Sequence, residues 1–156
     1  MELDLKLEHQ LCFPLYASSK ELIKRYKPLL DELDLTYTQY IAMMILWEKK
    51  SVNVNELGRF LYLDSGTLTP MLKKMEQKGL LRRTRQGADE RKVLITITDA
   101  GEELKERAKR VPKRIAACVN LSPTEADTLY RLLYKLLENT ENGYTRKADS
   151  KAGESD

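Results

Sequence analysis

Apolar positions recur every three or four residues over most of this chain, and the one stretch that departs from that period defines its centre. Residues 5–30 carry a helical stripe of Leu11, Leu15, Leu22, Ile23, Tyr26, Leu29 and Leu30, interrupted by Pro14 and Pro28. Proline is tolerated at a helix start and costs a backbone bond inside one, so the strong part of this helix is expected from about Pro14 to a bend or stop near Pro28. Gln39–Lys49, with Thr36 or Thr38 as its cap, is apolar on most faces and is expected to be buried. Asn53 caps a third helix, Val54–Leu61. A fourth opens at Asp64-Ser65-Gly66-Thr67 and closes at Lys78-Gly79, with Pro70 at its sixth position predicting a loose first turn.

The period then changes. Leu81–Thr84 and Val93–Ile97 are short β-prone runs joined by a charged, glycine-containing loop. Helical spacing resumes over Glu102–Val119, with Pro112 inside, and over Pro123–Glu138, opened by the capping box Ser122-Pro123-Thr124-Glu125 and striped by Ala126, Leu129, Tyr130, Leu133, Leu136 and Leu137. The order helix, turn, helix, hairpin predicts a mainly α protein built on a winged helix-turn-helix, whose partner is double-stranded DNA. That core needs only residues 35–98. The helices at 1–34 and 99–138 exceed its needs, and their stripes are expected to form a homodimer interface, the N-terminal one also carrying a sensor; residues 139–156 are polar and expected to be a disordered tail.

Charge sharpens the picture. Between Lys73 and Lys92 eight basic residues face three acidic ones, a local charge of +5 in a chain whose total is only +3. A basic cluster on a recognition helix and wing is the footprint of phosphate binding. At 156 residues, 42% hydrophobic and 33% charged, the chain suits one helix-rich soluble domain with extensions. No apolar run reaches the length of a membrane span, and MELDLKLEHQ has no apolar export core, so a cytoplasmic location is expected. One histidine (His9) and two distant cysteines (Cys12 and Cys118) cannot close a zinc site within one chain, and no phosphate loop or catalytic triad pattern is present. Neither metal, nor cofactor, nor enzymatic activity is expected.

Two segments, LEHQLCFPLYASSKELIKRYKPLLDELDLTYTQYIAMMILWE and LYLDSGTLTPMLKKMEQKGL, together with the wing's Asp89-Glu90-Arg91, resemble the MarR family, in its organic-hydroperoxide-sensing OhrR-type branch. The resemblance covers about residues 5–138. It implies that Cys12 is the peroxide sensor and that Tyr26 and Tyr37 hydrogen-bond its sulfur across the dimer. The chemistry is coherent: a thiolate attacks a peroxide O–O bond, and phenolic donors and a helix start both favour thiolate over thiol. Phe13, Leu15 and Tyr16 would supply an apolar lining for an alkyl hydroperoxide. Cys118 stands where some members of the branch carry a second cysteine, which implies an intersubunit disulfide with Cys12; the alternative is a packing residue. Pro14 departs from the aliphatic residue expected there.

The resulting expectation is a repressor whose dimer binds a pseudo-palindromic operator and releases it on oxidation of Cys12. Ser65, Thr67 and Thr69 are short enough to approach base edges and near phosphates; Lys73, Lys74, Arg83 and Arg85 are candidate phosphate contacts; Arg91 is placed for the minor groove, with Asp89 holding its guanidinium. Two rivals remain at this stage: a MarR-type repressor gated by a small phenolic ligand, and a thiol peroxidase in which Cys12 turns over.

Overall fold

The computed structural model describes residues 5–85 and 93–152. After a short 3-10 turn, Leu7–His9, the elements are α1 (Cys12–Asp31), α2 (Tyr37–Lys49), β1 (Ser51–Asn53), α3 (Val54–Leu61), α4 (Ser65–Gln77), β2 (Leu81–Arg85), β3 (Val93–Ile97), α5 (Asp99–Ala108), α6 (Arg110–Val119) and α7 (Pro123–Ala152). They fall into two compact units, residues 1–118 and 119–156. The winged helix-turn-helix is present as expected, in the first unit.

Local chemistry explains most boundaries. Thr36, not Thr38, caps α2: its hydroxyl accepts the Gln39 N–H at 3.3 Å while the Gln39 side chain accepts the Thr36 N–H at 3.1 Å, a reciprocal capping box. α3 stops where Tyr62 turns left-handed (φ 55°) and the Leu63 N–H reaches back to the Gly58 carbonyl at 3.0 Å, forming the turn of the helix-turn-helix. α4 stops at Gly79, whose φ of 72° suits glycine; the Gly79 and Leu80 N–H groups close on Glu76 and Met75.

The proline positions refine the expectations. α1 starts at Cys12, which puts Pro14 in the first turn, where no N–H is missed, and it runs through Pro28 to Asp31. The single helix expected over Glu102–Val119 is instead two. Thr98 caps α5 from Asp99, accepting the Gly101 N–H at 3.2 Å, and the helix breaks at Lys109. Pro112 has no N–H to offer the Ala108 carbonyl, so the helical ladder is interrupted there. α7 opens on the predicted Ser122–Glu125 capping box and continues past Glu138 to Ala152, through a stretch free of proline that was expected to be a tail.

The wing sheet has three strands in the order β1-β3-β2, all antiparallel. Val52 pairs with Ile95, and Leu81 with Ile97, which seats the sheet on the helices. β1 is too short to show a period and was not expected. The core of the first unit joins Leu30, Met43, Leu46, Val52, Leu57, Leu68, Leu72, Met75, Leu81, Ile95, Leu104 and Val111, drawn from α1 to α6 and from all three strands. Burying one such side chain contributes about 1.5–3 kcal/mol.

Candidate DNA-reading surface and sensor

The reading helix α4 presents an N-terminus held by Asp64. Its carboxylate accepts the Thr67 N–H and the Thr67 hydroxyl, each at 3.0 Å, and these bonds hold the Asp64 carboxyl below its ordinary range. The Thr67 hydroxyl therefore spends its proton on the cap and retains only acceptor capacity. Leu68, Met71, Leu72 and Met75 turn inward, which leaves Ser65, Pro70, Lys73, Lys74 and Gln77 on the exposed side, with Thr69 half-buried. Among the described residues neither Lys73 nor Lys74 has a carboxylate partner, so both charges are available to an incoming phosphate.

On the wing the two adjacent arginines of β2 face opposite ways, as strand alternation requires. Arg82 is exposed. Arg83 turns inward beside Leu81: its N–H donates to Glu76 of α4 at 2.8 Å, its guanidinium lies 3.8 Å from the same carboxylate, and its Nε is buried. Arg83 thus ties the wing to the reading helix, and Arg82, which sequence reasoning passed over, is the outward cation. The period-2 pattern counted from buried Leu81 was the signal that could have found it. Arg85 is exposed; Asp89 and Arg91 lie outside the described residues.

The sensor candidates divide into two places. Tyr26 of α1 and Tyr37 of α2 meet edge-on, with ring centroids 5.0 Å apart, and Tyr40 joins them at 6.0 Å from Tyr26. Burial pushes all three phenols above their ordinary values, helped at Tyr26 by Tyr37, so they remain protonated donors at neutral pH. Cys12 is exposed at the first position of α1, fourteen residues before Tyr26 in the same helix. At 1.5 Å per residue that is roughly 21 Å along the axis. A subunit therefore cannot bring its own Cys12 to its own tyrosine pair. Cys118, near the end of α6, is also exposed and unbridged.

Comparison with known proteins decides the family. The model for the transcriptional regulators SarA/Rot matches residues 24–108. The organic hydroperoxide resistance transcriptional regulator of Bacillus subtilis is 54% identical over 134 residues, 86% of this chain and 91% of that protein. This chain belongs to the MarR family, in its organic-hydroperoxide regulator branch. Among solved structures, reduced AbfR bound to DNA superposes with a TM-score of 0.74 at 37% identity, over 87% of this chain and 93% of that one. Disulfide-formed AbfR matches with a TM-score of 0.60 at 38% identity, over 84% and 92%. AbfR is a protein of Staphylococcus epidermidis. No described helix is long and apolar enough to cross a membrane.

Proposed function

We propose that this protein is a redox-sensing, DNA-binding transcriptional repressor that acts as a homodimer and leaves its operator when organic hydroperoxide oxidises Cys12. The observation that carries the reading is the Tyr26–Tyr37 pair: two protonated phenols held together, about 21 Å along α1 from the cysteine of the same subunit. Only a second copy, with α1 lying antiparallel, supplies a Cys12 to that pair. The exposed Leu11 at the cap of α1 and Phe13, Tyr16, Leu22 and Ile23 along it give such a copy an apolar surface to cover. Two copies in turn provide the two reading helices that a pseudo-palindromic operator requires.

In the reduced dimer each α4 enters a major groove, with Ser65 and Thr69 toward the base edges and Lys73 and Lys74 on phosphates. Arg82 and Arg85 extend the phosphate contacts along the wing, and the minor-groove role is assigned to Arg91 with Asp89, on the residue types alone. The Cys12 thiolate attacks the distal peroxide oxygen. The O–O bond breaks, the alkoxide leaves and takes a proton as alcohol, and Cys12 becomes a sulfenic acid. The thiol of Cys118 of the partner subunit then attacks that sulfur, a disulfide forms, and water leaves. AbfR, 37–38% identical to this chain, has been solved both reduced on DNA and with a disulfide formed, which supports such a switch.

Hydroperoxide treatment should convert the protein to a covalent dimer on a non-reducing gel, and Cys12→Ser or Cys118→Ser should each abolish that band. A wild-type protein that remains monomeric on the gel, with Cys12 joined to a small thiol, would rule out the Cys118 step and leave Cys118 as a packing residue.

A further inference from the structure

The aromatic cluster does not end at Tyr40. Tyr40 meets Trp47, two turns further along the buried face of α2, at 6.2 Å and 70°. The row Tyr37, Tyr26, Tyr40, Trp47 therefore runs from the sensor pair into the centre of the winged unit. Trp47 is nearly fully buried, and its indole N–H donates to the Gly101 carbonyl at 2.8 Å. That bond is made to the first turn of α5, where the chain packs with unusual closeness. A methyl group added at Gly101 would lie 2.3 Å from the Leu80 carbonyl oxygen and 2.8 Å from Ile97. The Thr98 N–H donates to the same Leu80 carbonyl at 3.2 Å, and the Thr98 hydroxyl to the Gly79 carbonyl. Gly79 and Leu80 are the residues that terminate the reading helix. Trp47 thus holds, through one buried hydrogen bond, the block to which the end of α4 and the base of the wing are fastened.

We propose that Trp47 is the positioning residue that couples the Tyr26–Tyr37 pair to the reading helix. The inference rests on the reading of the protein as a redox-switched DNA-binding regulator and adds the element that transmits the switch. When Tyr26 and Tyr37 shift to follow an oxidised Cys12 of the partner subunit, Tyr40 cannot stay in place, because interior side chains are close-packed and yield by discrete repacking. Trp47 moves with it. The Gly101 carbonyl then loses its indole donor or is drawn along with it, and the Thr98–Leu80 contact carries the displacement to the end of α4. Contact alone would not establish coupling; a two-state element biased from both ends would.

The chain contains one tryptophan, so intrinsic emission reports on Trp47 in the unaltered protein. On adding cumene hydroperoxide to the reduced dimer bound to an operator duplex, Trp47 emission should change in step with DNA release. Release that runs to completion with the emission spectrum unchanged overturns the proposal. Trp47→Phe keeps a ring in the row and removes only the donor. It should oxidise at Cys12 at the wild-type rate, measured as thiol loss, yet the ratio of operator Kd after and before oxidation should fall by about tenfold, within the usual span of coupling strengths. A ratio equal to that of the wild type overturns the proposal. A role in packing alone would lower the melting temperature and leave that ratio untouched. If the variant does not fold, as judged by circular dichroism, the emission measurement decides. A wild-type protein that oxidises at Cys12 and keeps its operator overturns the redox-switch reading itself, and the coupling with it.

Discussion

Leu46, Leu57 and Met75 are fully buried within a single copy of the chain, whereas Leu11, which caps α1, and Phe13 and Tyr16 on its first turns are 55, 40 and 61% exposed. The same contrast holds for α7, whose Leu129, Tyr130, Leu132 and Tyr134 all face outward. Both regions are helical and both carry a regular apolar stripe, so periodicity alone does not distinguish them. The difference lies in where the stripe finds its partner. The winged core buries its stripes against elements of its own chain and completes its polar bonds with caps. Among the described residues, the start of α1 and the 123–140 part of α7 leave most of their large apolar side chains exposed, and their stripes are intelligible as surfaces for a second copy. The proposed sensor shows the same division: Tyr26 and Tyr37 sit at the edge of the closed core, and Cys12 sits exposed at the start of α1.

The largest effect expected from breaking this contrast is in the core. Leu57→Ala should cost about 2–5 kcal/mol, a cavity penalty within one subunit, and lower the melting temperature at every protein concentration. Phe13→Ser should leave that intramolecular core intact and instead shift the monomer–dimer equilibrium measured by sedimentation. Equal loss of fold in both variants would erase the distinction between the two regions. Next in size is the cap. Thr36→Ala removes the acceptor for the Gln39 N–H and should cost about 1 kcal/mol in thermal or urea denaturation.

The DNA surface sharpens the comparison at smaller scale. Lys73→Ala and Lys74→Ala should each reduce the slope of log Kobs against log salt by about one, since each removes one phosphate-neutralising charge, with little change in melting temperature. Arg82→Ala should behave in the same way. Arg83→Ala should differ, lowering stability as well as affinity, because its guanidinium is paired with Glu76 inside the fold. A salt slope unchanged in all of these variants would remove α4 and the wing from the interface.

The smallest effect is a pH dependence. Burial raises the Tyr26, Tyr37 and Tyr40 phenols above their ordinary values. The unfolded chain then loses those protons first. Stability from this source is intact below about pH 10 and falls as pH rises from there through the folded-state values. Denaturation midpoints should decline above about pH 10, and Tyr40→Phe should blunt the decline. A midpoint that holds level through that range would show that the phenols are not desolvated.

Much of this was legible in residue order. Thr36, Asp64, Gly79 and Ser122 announce helix ends because a short polar side chain or a left-handed residue completes orphaned backbone groups, and those effects act within four residues. What was not legible depended on contacts between distant residues. β1 exists because Val52 pairs with Ile95. The break at Lys109 follows from Pro112, but helical propensity on both sides concealed it. Arg83 could not be told from a phosphate contact until Glu76 was found beside its backbone N–H. At the sensor, the resemblance to the family named Tyr26 and Tyr37, but nothing local indicated that Tyr40 and Trp47 continue the row, since the rings come from two helices.

The central claim is that DNA binding is under the control of one thiol. It is tested most directly by titrating the reduced wild-type dimer and Cys12→Ser, each bound to a fluorescent duplex of the gene's own upstream region, with cumene hydroperoxide. The wild type should lose operator affinity by at least about tenfold, a normal allosteric coupling, as one equivalent per subunit is consumed, and Cys12→Ser should stay bound throughout. Release of both proteins alike, or retention of DNA by a wild type whose Cys12 thiol has been consumed, would contradict the account.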